Sequence, residues 1–145
     1  MTTLYRHILI ASDLSENSDA IAKRATIIAQ FSKAEISIVH VLAHAPIPYA
    51  GEFSIPIDLE MENTIRKQAK MQLAELSSRY HISDNAQYLE QGSVKLAVTD
   101  LANKINVDLI VVGTHSHKGI ELLLGSQANA ILHAAKCDVL VVRIQ

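Results

Sequence analysis

Asp13, Gly113, His115, His117, Gly125 and Ser126 are the residues whose types and spacing suit chemistry in this chain. Gly113 closes the apolar run Asp108-Leu109-Ile110-Val111-Val112. Gly125-Ser126 stands just before the helix-forming segment Gln127-Ala128-Asn129-Ala130-Ile131-Leu132. A helix N-terminus offers unpaired N–H groups and a partial positive charge, so it suits an anion, phosphate above all. Glycine lets backbone approach a ligand closely, and the Ser126 hydroxyl adds a donor. Two readings stand side by side. One is a phosphate cradle between the carboxyl end of a strand and the start of a helix. The other is an ordinary strand-to-helix loop capped by Ser126.

Asp13 follows the first apolar run, His7-Ile8-Leu9-Ile10-Ala11-Ser12. A carboxylate there can accept from an adenine amine or a ribose hydroxyl, or help hold a magnesium ion. It can equally stabilise a turn beside Ser15. His115 and His117 offer two nitrogens to a metal, but no Cys or His pair elsewhere completes a zinc set. As loop histidines near a phosphate, either can donate when protonated. Familiar nucleotide and hydrolase motifs are missing: no Gly-x-x-x-x-Gly-Lys-Ser/Thr, no Gly-x-Gly-x-x-Gly after the first strand, and no Gly-x-Ser-x-Gly.

The elements that position these residues follow from periodicity. Residues 7–11, 36–42, 86–91, 108–112 and 138–144 read as strands, the third polar enough for a sheet edge. Helices are expected from about 16 to 33 after a Ser15 cap, from 59 to about 80 after an Asp58 cap, from 94 to about 105 after Gly92-Ser93, and from 127. Their expected inward faces are Ala20, Ile21, Ala25, Ile28 and Ala29 in the first, and Ile65, Ala69, Leu73 and Leu76 in the second. Leu96, Ala97, Leu101 and Ile105 are expected inward in the third. Glu62 and Arg66 are spaced as an i,i+4 pair. His40 reads as a satisfied near-core residue. Residues 43–57 break the pattern with Pro46, Pro48, Gly51 and Pro56, and long loops of this kind are often lids or binding loops.

Five strands alternating with four helices predict one α/β domain over residues 1–145, a parallel sheet with helices on both faces. Ligands bind such sheets at the carboxyl ends of strands where the strand order reverses. With the first strand central, that point falls between strands one and four and brings Asp13 beside Gly113. The 145 residues suffice to bury a core without disulfides. A formal charge of −2 argues against a general nucleic-acid surface. No apolar run reaches membrane-spanning length, the amino terminus lacks a signal-peptide core, and a cytoplasmic location is expected. The single cysteine, Cys137, reads as a small core residue.

Taken together, the motifs resemble the universal stress protein family over essentially the whole chain. The opening strand with Asp13-Leu14-Ser15, the strand Ile38-Val39-His40-Val41, the late segment from Asp108 to His115 with Leu122-Leu123-Leu124-Gly125-Ser126, and the final Cys137-Asp138-Val139-Leu140-Val141-Val142 carry the likeness. The resemblance implies a Rossmann-like open sheet of order 3-2-1-4-5 and a homodimer paired through the last strand, residues 139–144. It implies an adenine nucleotide, ATP or ADP or AMP, with Mg2+ as a possible companion. It places Ala11, Ser12, Asp13 and Val41 around the adenine and ribose, Val41 through its backbone. Gly113, His115, Ser116, Gly125, Ser126 and Gln127 fall around ribose and phosphates. Nucleotide-binding members carry Gly-x2-Gly-x9-Gly-Ser/Thr; here Ser116 replaces the middle glycine and eight residues, not nine, separate it from Gly125. The expected function is a ligand-sensing stress-response protein with an unknown protein partner. The alternatives are an interaction module without nucleotide, and a slow ATPase for which His115 and His117 are the only bases suggested by position.

Overall fold

The computed structural model describes residues 4–42, 59–114 and 126–144. Five strands, β1 His7–Ala11, β2 Glu35–Leu42, β3 Gln87–Gln91, β4 Leu109–Gly113 and β5 Asp138–Val142, alternate with four helices. The helices are α1 Ser18–Ser32, α2 Leu59–Arg79, α3 Val94–Lys104 and α4 Ser126–Ala134. A short 3-10 turn, Asp84–Ala86, precedes β3. The strands form one sheet of order β3-β2-β1-β4-β5, and every pairing is parallel. The strand order therefore reverses between β1 and β4, where Ile10 pairs with Val111.

Strand periodicity explains the layers. Successive side chains leave a strand on opposite faces, so a central parallel strand must be apolar throughout. Ile8, Leu9 and Ile10 have no solvent exposure at all. Ile8 and Ile10 pack with Ile21, Ala22 and Ala25 of α1 and Leu73 and Leu76 of α2. Leu9 packs on the other face with Val98 and Leu101 of α3 and Ile131 of α4. The small side chains of α1 let that helix lie close to the sheet. The Asp108 carboxylate ties the start of β1 down, accepting from the backbone N–H groups of Arg6 at 2.9 Å and His7 at 3.0 Å.

Several local expectations change. Ser15 is not the N-cap of α1. The helix begins later, Asn17 is its cap without a side-chain hydrogen bond, and Ser15 instead accepts from the Asn17 N–H at 3.3 Å. The cause is Leu14, whose φ of 59° turns the chain through the left-handed region before the helix can start. Ala20 is exposed and Ile28 only half-buried, while Ser18 and Ala22 are buried in their stead. Ile65 and Leu96 face solvent rather than the core, at 49% and 54% exposure. In α2 residues 60–68 are exposed and Ala69 is the first buried one among the described side chains, so this stretch precedes the part that meets the sheet. Arg66 donates to Gln91 at 2.7 Å rather than pairing with Glu62. Ala86 belongs to the 3-10 turn and not to β3. Ser93 does cap α3, its side chain accepting from the Leu96 N–H. The long 43–57 loop and the Asp58 cap lie outside the described residues.

Asp19 of α1 accepts from Arg79 Nε at 3.0 Å and Nη2 at 3.2 Å, and from the Tyr80 hydroxyl at 3.0 Å. The Arg79 bonds hold its carboxyl below the usual value; burial opposes them more weakly, and the Tyr80 bond adds a lesser lowering. The pair is about half exposed, which limits its worth. A depressed folded-state value means stabilisation present above the unfolded value, near pH 4, and lost as pH falls through the folded one. Asp19→Asn is therefore expected to lower the melting temperature slightly at pH 7. That difference should shrink in melts run from about pH 5 down to about pH 3.

Candidate functional site

At the carboxyl end of β1 the chain builds a fixed turn. The Ser12 N–H donates to Val39 at 2.9 Å and extends the β1–β2 ladder by one bond. His40 Nδ1 donates to the Ser12 carbonyl at 2.8 Å, since a carbonyl can only accept. His40 is thus the satisfied, half-buried residue expected. The Leu14 N–H donates to Ser12 Oγ at 3.0 Å, and the hydroxyls of Ser12 and Ser18 lie 2.9 Å apart. Ser18 donates onward to Asp13 Oδ1 at 3.5 Å, so the Ser12 proton points to Ser18. Asp13 Oδ1 also accepts from the Ser15 N–H at 2.9 Å. Asp13 is exposed, and its described bonds use Oδ1 alone. The turn-stabilising role of Asp13 is therefore real, and it leaves Oδ2 for another partner.

Beside this turn lies a cleft of about 70 Å³, open to solvent. Its walls are Val39 and Val41 of β2, Val112 of β4, Val94 and Val98 of α3 and Ile131 of α4. Ala11, Ser12, Asp13, His40 and Gln127 complete the lining. Val39, Val41, Val98, Val112 and Ile131 all belong to the core on the α3/α4 side of the sheet, so the cleft opens on that face. Gly92 makes the approach of α3 possible. Its φ of 123° is one that L side chains rarely adopt, and its N–H donates to the Leu42 carbonyl at 2.9 Å. The cleft is far smaller than the roughly 300 Å³ of a pocket that encloses a drug-sized ligand. It suits one flat apolar ring, with polar groups left at the rim beside Asp13 and Gln127.

Of the expected site residues, Ala11, Ser12, Asp13, Val41 and Gln127 come together at this cleft. Ser126 is exposed and opens α4 as its first helical residue. Gly113 ends β4 as expected, but a Cβ there would stand 2.7 Å from Ile21 Cδ1 and 3.3 Å from Ile144 Cγ1, on the α1 side of the sheet. Its lack of a side chain thus has a packing cause on the face away from the cleft. His115, Ser116, His117 and Gly125 lie outside the described residues, as does the His115-x-His117 metal pair. Among the described residues no three His, Cys, Asp or Glu side chains gather as a metal site. Burial pushes the half-exposed Cys137 thiol up, Asp138 adding to it, which opposes thiolate chemistry.

Sequence reasoning missed Val39, Val94, Val98, Val112 and Ile131 as cleft residues. Each reads locally as core, and only the meeting of four elements, β2, β4, α3 and α4, exposes them together. A larger recess of about 590 Å³ lies at the opposite ends of β1 and β2, lined by His7, Glu35, Ser37, His81 and Tyr88 among others. Its most reactive group is already engaged. His7 Nδ1 donates to the Ile105 carbonyl at 3.0 Å, so Nε2 accepts from Ser37 Oγ at 2.7 Å. Position favours the smaller cleft, because parallel sheets take ligands at the carboxyl ends of their strands, where the order reverses.

An open parallel sheet of this order, with its cleft at the switch point, defines a Rossmann-like α/β protein. The Universal stress protein family profile matches residues 4–143, and the chain belongs to that family. It is 49% identical over 138 residues to "Universal stress protein A homolog 1" of Coxiella burnetii, covering 95% of this chain and 96% of that one. Two solved structures share the fold. One is a universal stress protein in complex with cAMP, with a TM-score of 0.71, 24% identity, and coverage of 96% of this chain and 97% of that one. The other is universal stress protein UspA from Lactobacillus plantarum, with a TM-score of 0.76, 23% identity, and coverage of 96% and 98%. Among the described residues no helix is long and apolar enough to cross a membrane.

Proposed function

We propose that this protein binds an adenine nucleotide in the cleft beside Asp13 and works as a ligand-sensing, cytoplasmic stress-response protein. The observation that carries this reading is the apolar cleft at the β1/β4 switch point with a single carboxylate at its rim. The valine walls take the flat base, and Asp13 Oδ2 accepts from a ribose hydroxyl or ring amine. The first turn of α4, with Ser126 and Gln127, presents backbone N–H groups of the kind that favour phosphate. Mg2+ would accompany a triphosphate by offsetting its charge. The solved relative with cAMP supports the reading, since it pairs this fold with an adenine nucleotide.

The protein acts as a homodimer in this reading. Strand β5 pairs only with β4 among the described residues, and Val139, Leu140 and Val141 remain half-buried. Such an apolar edge is protected when a second copy pairs along it. Nucleotide acts as a signal by favouring one state of the surface that a partner protein reads. Ser116 in place of the middle glycine favours a second reading, an interaction module without nucleotide.

Asp13→Ala tests the site. Losing one hydrogen bond made by a charged acceptor is worth about 1.5–3 kcal/mol, so affinity for AMP or Mg-ATP should fall roughly 10- to 100-fold by calorimetric titration. The melting temperature serves as a check that the turn survives. Equal affinity in wild type and variant would remove Asp13 from the site.

A further inference from the structure

Helix α1 carries a second apolar stripe, on the side away from the sheet. Its buried residues are Ser18, Ile21, Ala22, Ala25, Ala29 and Ser32. At 100° per residue the opposite side holds Ala20, Ile27 and Phe31, flanked by Lys23 and Arg24. All five are exposed; Phe31 is 88% exposed, the most of the exposed large apolar side chains among the described residues, and Ile27 is 42% exposed. The apolar positions 20, 27 and 31 are spaced seven and four apart, so they share one side of the helix, with Lys23 and Arg24 on its flanks. Nothing in the core requires a phenylalanine or isoleucine on this side, and a helix facing only water would carry polar residues there.

Charge decides what the stripe fits. From residue 20 to residue 32 the chain has two cations, Lys23 and Arg24, and no acidic residue. Asp19, just before, is held by Arg79 and Tyr80, and Lys33 follows the helix end, exposed. A second copy presenting the same face would gather the Lys23 and Arg24 of both copies with no carboxylate between them. An acidic amphipathic helix meets both requirements at once, its apolar seam against Ile27 and Phe31 and its carboxylates against the cations. We propose that the outer face of α1 is a docking surface for an acidic amphipathic helix of a partner protein.

The proposal does not depend on nucleotide binding, because the stripe and the cleft lie on opposite faces of the sheet. Its test uses the full chain and two synthetic helical peptides about four turns long, with the same leucine seam. One carries Glu on both flanks of the seam and the other Lys. The Glu peptide is expected to bind wild type saturably, and Phe31→Ser to weaken it about tenfold or more with an unchanged melting temperature. The double variant Lys23→Glu/Arg24→Glu should lose the Glu peptide and gain the Lys peptide. Absence of saturable binding by the Glu peptide overturns the proposal, as does equal binding of both peptides to wild type. Self-association of wild type that Phe31→Ser abolishes also overturns it, and assigns the face to a second copy.

Discussion

Val94→Phe is expected to abolish adenine-nucleotide binding while leaving the protein folded. Val94 is the first residue of α3 and lines the cleft from the α3 side, half-buried. A phenyl ring carries several carbon atoms more than isopropyl, and about 70 Å³ is all the space the cleft offers. The ring would occupy the place proposed for the base. Because the site opens to solvent, the added atoms have somewhere to go, and the overpacking cost should stay near the low end of about 1–3 kcal/mol. The readout is calorimetric titration with AMP and Mg-ATP beside a thermal melt. Affinity should fall about 100-fold or more, equivalent to about 2.7 kcal/mol or more, with a melting temperature within a few degrees of wild type. Undiminished affinity in a folded variant would move the base out of this cleft.

The largest effect on stability is expected from Ile10→Ala. Ile10 has no solvent exposure, sits on the central strand between Ile38 of β2 and Val111 of β4, and packs under α1. Four neighbouring elements hold the space open, so the cavity cannot collapse fully. Truncation of a buried Ile costs about 2–5 kcal/mol, and here the upper half of that range is expected. In a chain of this length that lowers the melting temperature by roughly 10 °C, measurable by circular dichroism or calorimetry. The effect separates fold from site, because Ile10 faces away from the cleft, with Ile8 toward α1.

The fold was legible in the sequence because four of its five strands are short, apolar and rich in β-branched residues, and because the first four strands are each followed by a segment of helical period. The runs Ile8-Leu9-Ile10 and Leu109-Ile110-Val111-Val112 could hardly face water, and both proved buried. Helix faces were read less well. Periodicity says which residues share a side of a helix but not how far along it the sheet extends. Ile65 and Leu96 keep helical spacing with residues that are buried, yet both are exposed. The Ser15 cap failed because a capping sequence does not reveal that Leu14 takes a positive φ first.

The site was legible in outline only. The switch-point rule puts a ligand near Asp13 before any coordinates are known, and the structure gathers Asp13, Val41 and Gln127 there. The walls were invisible, since Val39, Val98 and Ile131 come from three elements and differ from ordinary core residues only in where those elements meet. Gly113 carried a double meaning. Its place at a strand end suggested close approach of a ligand, but a Cβ there would also press on the side chains of Ile21 and Ile144, a packing reason of its own.

Nucleotide binding itself is tested most directly on the protein taken from cells without added nucleotide. After acid precipitation the supernatant is analysed by mass spectrometry against a quantified amount of protein. A stoichiometric adenine nucleotide is the expected result, absent from Val94→Phe prepared in parallel. An empty supernatant, followed by no heat on titration with Mg-ATP or AMP at millimolar concentration, would contradict nucleotide binding and make this protein an interaction module.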